Sequence, residues 1–393
     1  MLRVEEALER LLALSPPLPS VTTLLEDAVG CYLANEVAAR RTQPAADLSA
    51  MDGYALAVAD LPGPSHIVGE SAAGRPFDGR LRAGEAIRIF TGAYVPDGAD
   101  CVLIQEDAQQ RREYLHLVGD GINRQGQHIR RAGGDFHIGD PVLRAGTLLG
   151  AGQIALAAMA GYGVLGVGQR PKVHLLATGD ELVAPGEVCS QATIPSSNNV
   201  MLRALLRGLP CDVTDNGIVG DDLAALEARL KGMAQSADII VTTGGVSVGD
   251  HDLVQAALKN CGAKIDFWKV AMRPGKPIMA GNIGNALVLG LPGNPASAFV
   301  TASLFLCPLV RHLAGSPTPF AEPCAAETTT DLPSGGIRTE FLRAYVRDGK
   351  ITADDRQDSG MVSPLADCNA LLIQDVDVPA RARGSVVRYL PVA

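Results

Sequence analysis

Three stretches far apart in the chain carry the same chemistry: "TGDE" (Thr178 to Glu181), "TTGGVSVGD" (Thr242 to Asp250) and "LPGNP" (Leu291 to Pro295). Each sets glycine beside a hydroxyl, an amide or an acid. Bare glycine backbone offers its N–H groups to an anion, and a turn that runs into a helix adds the helix dipole, about 0.3–1 kcal/mol per favourable charge. One such turn is ordinary; three point to a phosphate-bearing ligand. Asp180, Glu181, Asp221, Asp250 and Asp252 crowd the same strand ends and helix starts, while Asp222 reads as a helix cap. Carboxylates about 4 Å apart repel by about 4 kcal/mol at an effective dielectric near 20. A divalent cation removes that repulsion, and carboxylate with phosphate oxygens suits magnesium. The positive counterpart is "FWKVAMRPGKPIMAG", where Lys269, Arg273 and Lys276 surround a Pro-Gly turn between apolar flanks, a set able to hold an oxyanion or phosphate.

These residues need elements to position them. From Arg170 to Ala314 strand and helix signals alternate: "KVHLLATG", the helix "SSNNVMLRALLRG" with asparagine caps, "CDVTDNGIV", "DDLAALEARLKGM", "ADIIVTTGG", "DLVQAALKN", "NALVLGLPG" and "NPASAFVTASLFL". That rhythm predicts a parallel α/β domain, whose ligands bind beyond the carboxyl ends of the strands. Between about Thr42 and Asp140 glycine, proline and short strand-like runs such as "LRAGEAIRIFTG" and "CVLIQED" predict a small β-rich domain. Its loops carry "SAMDGYA" and "TGAYVPDGAD". Past Pro317, "FLRAYVRDGKITAD", with an Asp348-Gly349 hairpin turn, "NALLIQDVD" and "GSVVRYLPVA" predict a small barrel or sandwich. The expected boundaries are an N-terminal helical/β domain from 1–41 and 141–169, a small β domain at 42–140, the α/β domain at 170–315 and a C-terminal β-barrel at 316–393.

The bulk properties narrow the function. At 393 residues, 47% hydrophobic and 20% charged, the chain is a multidomain globular protein. Its net charge of −9 argues against a nucleic-acid surface. The first residues, "MLRVEEALERLLAL", form an amphipathic helix and not a secretion signal. No apolar stretch reads as a membrane span, the nearest being Ile154 to Gly168. Eight singly placed cysteines suit a reduced, cytoplasmic setting. "GYGVLG" (Gly161 to Gly166) matches GxGxxG, yet a helix precedes it and no helix follows, so it reads as a helix exit into a strand and not a dinucleotide site.

With these residues set out, the chain resembles the MoeA family, the molybdopterin molybdenumtransferases related to gephyrin's C-terminal region. The motifs that carry the resemblance are "SAMDGYA", "TGAYVPDGADCVLIQE", "LLATGDEL", "SNNVML", "TTGGVSVGDHD", "VAMRPGKP", "GLPGNPASA", "RTEFLRA" and "DSGMVSPLADCNAL". The resemblance implies an enzyme that takes adenylylated molybdopterin and molybdate, releases AMP and inserts molybdenum into the dithiolene with Mg2+. It implies a homodimer whose cleft joins the α/β domain to the partner's small β domain. Interactions with the molybdopterin adenylyltransferase and with cofactor-handover proteins are further expectations; nucleic acid and membrane are not expected partners.

Residue by residue, the resemblance assigns Asp52, Thr91, Glu181, Asp221, Asp252 and Lys276 to catalysis, with Glu181, Asp221 and Asp252 also on magnesium. It assigns substrate contacts to Lys269, Arg273, Arg338 and Ser359. The glycine-loop reading adds Thr178, Asn198, Asn199, Gly244, Gly245, Ser247, Pro292, Gly293 and Asn294 to the pterin nucleotide. Glu181 or Asp52 is expected to supply protons, a role that needs a raised pKa. Two positions depart from the family pattern: Gly134, where relatives carry glutamate, and Arg273, where many carry lysine and where arginine holds oxyanions in a forked geometry. Two other readings stay open, an adenylyltransferase and a non-catalytic molybdopterin-binding scaffold. The two extra β domains argue against the first, and the retained acids and basic loop against the second.

Overall fold

A computed structural model describes residues 1–245 and 253–392 of the chain. Helix α1 (Val4–Ala13) is the expected amphipathic one. Its apolar face is buried in the principal core: Val4, Ala7 and Leu11 lie with Leu309, Val310, Val173 and Leu287. Leu2 also bridges to Val270. Farther on, Ser20–Leu24 pairs with Val164–Gly168, and Val37–Ala38 with Pro141–Leu143. The chain therefore leaves a small unit and returns to it.

Between those visits lies a six-stranded sheet of β1 (Gly53–Leu56), β2 (Ser65–Ser71), β3 (Glu85–Ile89), β4 (Cys101–Ile104), β5 (Ala108–Arg111) and β6 (Tyr114–Leu117), in the order β4-β1-β3-β2-β6-β5. Successive side chains alternate faces: Tyr54 and Leu56 pack with Leu103, while Ala55 packs with Ile87, Ile89 and Val102. Helix α2 (Ala151–Met159) follows, and Gly161 at φ +97° turns the chain into Val164–Gly168. "GYGVLG" is thus a helix exit.

The central sheet holds β7 (Lys172–Thr178), β8 (Asp212–Val219), β9 (Ile239–Thr243), β10 (Lys264–Lys269), β11 (Pro277–Ile283) and β12 (Ala286–Leu291), ordered β8-β7-β9-β12-β11-β10. The first four in that order are parallel. β11 and β10 extend the sheet antiparallel, so the basic segment read as a loop is largely two strands. Helices α3 (Asn198–Leu206), α4 (Leu223–Met233) and α5 (Leu253–Asn260) cross over between the strands. Both faces are covered: Val173, Leu175, Ile239 and Val241 pack with Leu202 and Phe305 on one side, and Leu176 and Ile240 with Leu226, Leu230 and Leu258 on the other. Among the described residues, helix α6 (Pro295–Leu313) is the one long and apolar enough to cross a membrane, unlike the stretch from Ile154 expected to come nearest; 83% of its most apolar window is buried inside the fold. It is a core helix.

The last segment is a closed barrel. β13 (Cys324–Thr328), β14 (Thr339–Arg347), β15 (Lys350–Ala353), β16 (Ala370–Gln374) and β17 (Val386–Pro391) run β14-β15-β13-β17-β16, and β16 pairs back onto β14. Asp348 and Gly349, at φ 50° and 73°, make the left-handed pair that a two-residue hairpin needs. All eight cysteines are free.

Candidate active site

The parallel strands end in one row. Thr178 is level with Val219, and Thr243 with Ala177 and Leu291. Beyond that row opens a cavity of about 620 Å³, within the usual range for a small-molecule site. Its floor is backbone. Gly244 and Gly245 have φ of +91° and +61°, and a Cβ on Gly244 would sit 2.5 Å from the Thr178 carbonyl oxygen. Only glycine meets both demands. A Cβ on Gly293 would lie 3.5 Å from the Gly244 Cα, so the two glycine loops share the floor. Buried Thr178 stands beside them, with Pro292 and Asn294.

One wall is acidic and another basic. Glu181 and Asp221 line the cavity. Asp180 serves the loop instead: its Oδ1 accepts from the Asp221 N–H at 2.9 Å. Asp222 caps α4, accepting from the Ala225 N–H at 3.0 Å, as expected. Arg273, Lys276 and Arg338 line the basic side. The Arg273 Nη1 lies 3.2 Å from Glu340 Oε1 on β14.

The third wall comes from the barrel, where Gln357, Asp358 and Ser359 line the cavity. Ser359 fastens the barrel to α6: its Oγ accepts from Asn294 Nδ2 at 2.9 Å, and its carbonyl from the Ala296 N–H at 3.1 Å. The arrangement can bind an anion from the backbone side, an oxyanion between the cations, and a hard cation at the carboxylates.

Family models match the chain in three successive blocks: the MoeA N-terminal region (domain I and II) over residues 2–161, a probable molybdopterin binding domain over 174–312, and the MoeA C-terminal region (domain IV) over 325–392. The molybdopterin molybdenumtransferase of Haemophilus influenzae is 35% identical over 350 residues, which cover 88% of this chain and 86% of that one. The chain belongs to the MoeA family. Molybdopterin molybdenumtransferase 2 of Mycobacterium tuberculosis is 33% identical over 379 residues, 93% of each chain. The crystal structure of the MoeA molybdopterin biosynthesis protein from Pyrococcus horikoshii superposes with a TM-score of 0.83 at 26% identity, covering all of both chains.

Against the expected residues, this MoeA-family chain brings Thr178, Glu181, Asp221, Gly244 and Gly245 into the cavity. Arg273, Lys276, Pro292, Gly293, Asn294, Arg338 and Ser359 join them. Ser247 and Asp252 lie outside the described residues. Lys269 is not brought in: it is exposed at the end of β10, where its carbonyl accepts from the Leu2 N–H. Asn198 and Asn199 neither cap α3 nor line the cavity, because they are its first two helical residues. Asn198 Nδ2 donates to the Gly293 carbonyl at 2.7 Å, and Asn199 Nδ2 to Asp215 Oδ1 at 2.7 Å. Asn198 supports the floor from behind, while Asn199 ties α3 to β8. Gly134, in a turn closed by its N–H on the Arg131 carbonyl at 3.0 Å, does not line the cavity.

Asp52 and Thr91 meet each other in the loops at the rim of the small β sheet and do not line this chain's cavity. Asp52 Oδ1 accepts from the Thr91 N–H at 2.7 Å and from the Thr91 hydroxyl at 2.9 Å. The Thr91 backbone N–H and then its hydroxyl hold the Asp52 carboxyl below its ordinary value. That direction is opposite to the raised value that supplying a proton would need. Gln357, Asp358, Gly275 and Ser297 line the cavity without having been singled out. The turn signal "DSG" around Ser359 marks Asp358.

Proposed function

We propose that the chain inserts molybdenum from molybdate into adenylylated molybdopterin with release of AMP. The observation that carries this reading is the single cavity in which bare glycine backbone, three carboxylates (Glu181, Asp221 and Asp358) and three cationic side chains converge. The glycine-loop N–H groups and Asn294 bind the nucleotide phosphates. Arg273, Lys276 and Arg338 hold molybdate, a tetrahedral dianion, beside the dithiolene. Water attacks phosphorus, the phosphoanhydride P–O bond breaks, and AMP leaves with that oxygen. Glu181 is the remaining candidate to protonate the oxo groups that leave molybdate.

Magnesium fits the donors present. Glu181 and Asp221 offer carboxylate oxygens in the cavity. A pair of carboxylates suits an ion which keeps waters and shares phosphate oxygens. When bound, it supplies charge neutralisation at the phosphates. We place Asp52 and Thr91 opposite this cavity in a homodimer, with each small β sheet completing the partner's cleft; the support is that both carry the site motifs yet stand apart from the cavity of their own chain. The cytoplasm, with its supply of nucleotides and reduced thiols, is the proposed setting.

The test supplies adenylylated molybdopterin, Mg2+ and molybdate to the purified protein and measures AMP and active cofactor. Molybdate-dependent AMP release supports the reading. ATP consumption with metal-free molybdopterin would instead make the chain an adenylyltransferase, and pterin binding without AMP release would make it a scaffold.

A further inference from the structure

Arg343 is the largest side chain buried almost completely in the fold, at 2% exposure, and it forms no ion pair among the described residues. A guanidinium withdrawn from water is costly, and the pull of the nearby Asp354 and Asp358 carboxylates offsets only part of that cost. Such a group persists where its hydrogen bonds do something specific. Here they all run to one loop. Nη1 donates to the Met361 carbonyl at 3.1 Å and Nη2 to the Arg356 carbonyl at 2.6 Å. The main chain of Arg343 completes the grip: its N–H donates to Gln357 Oε1 at 3.1 Å, and its carbonyl accepts from Gln357 Nε2 at 2.9 Å and from the Asp354 N–H at 2.9 Å.

The clamped segment carries Gln357, Asp358 and Ser359, the barrel wall of the cavity. The two carbonyls taken by the guanidinium, at 356 and 361, bracket those three residues. Ser359 in turn holds Asn294 at the start of α6.

We propose that Arg343 is a positioning residue for the oxyanion side of the cavity: its buried guanidinium fixes the 356–361 loop so that Ser359, whose Oγ accepts from Asn294 and keeps its own hydrogen free, presents its hydroxyl to molybdate. This rests on the reaction proposed above. The nucleotide side touches this loop only through Asn294, which Ser359 holds; the glycine-loop N–H groups that do most of its binding lie outside the loop. Lysine at 343 keeps the charge but lacks the planar fork that reaches two carbonyls at once.

Steady-state kinetics of AMP release separate the cases. In Arg343→Lys, the molybdate KM rises about tenfold, while the KM for adenylylated molybdopterin and the kcat stay within about twofold of wild type. A double-mutant cycle with Ser359→Ala shows non-additive effects on the molybdate KM, because Arg343 acts through that serine. Equal rises in both KM values, or strict additivity, would overturn the proposal. Should Arg343→Lys fail to fold, Asp354→Ala loosens the same loop from its far end, where Asp354 holds Arg356 at 2.9 Å. It raises the molybdate KM selectively by about threefold, and an unchanged value there counts against the proposal. Failure of wild type to release AMP at all would sink the reaction, whereas normal wild-type kinetics with an indifferent Arg343 variant would sink only this role.

Discussion

Replacing Glu340 by glutamine should improve the binding of one substrate. Arg273 Nη1 lies 3.2 Å from Glu340 Oε1, so an oxyanion entering the cavity competes with that carboxylate for the guanidinium. In water two unit charges at this separation attract by about 1 kcal/mol. The Arg273 side chain is 62% exposed and that of Glu340 19%, and exposed pairs contribute about 0.2–1 kcal/mol once salt and side-chain entropy are counted. Glutamine preserves the shape and removes the charge. Releasing that competition tightens oxyanion binding by the same amount, about 1.4- to 5-fold at 1.36 kcal/mol per factor of ten. The assay is the molybdate KM of AMP release at low and high salt. It falls in Glu340→Gln with kcat close to wild type, and the gain shrinks as salt screens the original pair. A raised KM refutes the reasoning, because Glu340 would then aim Arg273 at the ligand and not compete for it.

Asp221→Asn and Glu181→Gln each raise the magnesium concentration needed for half-maximal AMP release by about tenfold or more, read from a magnesium titration; unchanged titrations remove them from the metal. Phe305, fully buried in the principal core, costs about 3–5 kcal/mol when cut to alanine, measured by urea unfolding. Desolvation, and then the Lys172 charge, hold His174 below its ordinary value of 6.5. The unfolded chain therefore binds the proton more readily. The stability from a neutral His174 is complete above pH 6.5 and is lost as pH falls from there through the lowered folded value. The acid-side decline of the urea midpoint should be shallower in His174→Gln.

What the sequence made legible was whatever depends on neighbours along the chain. The strand ends bearing "TGDE", "TTGG" and "LPGNP" follow from local rhythm, and the rule for parallel sheets gathers them at one edge. Asp348-Gly349 announced its hairpin for the same reason. The misplacements concern partners distant in sequence. "FWKVAMRPGKPIMAG" looks like a loop around Pro-Gly, yet Lys264–Lys269 and Pro277–Ile283 are strands because β12 offers them an edge to extend. That registration leaves Lys269 outside while Arg273 and Lys276 reach the cavity. The asparagines of "SNNV" look like caps, but Gly293 and Asp215 claim their side chains from 95 and 16 residues away. Gln357 escaped notice because nothing local says that a barrel loop will close a cavity at the far end of a sheet.

The burial of Val4, Ala7 and Leu11 beside Leu309 and Val310 has a consequence for the order of events at the ribosome. Helix α1 and these two residues of α6 lie about three hundred positions apart, so the helix is synthesised well before they are. Its greasy stripe is therefore not fully hidden on the nascent chain until α6 has been made.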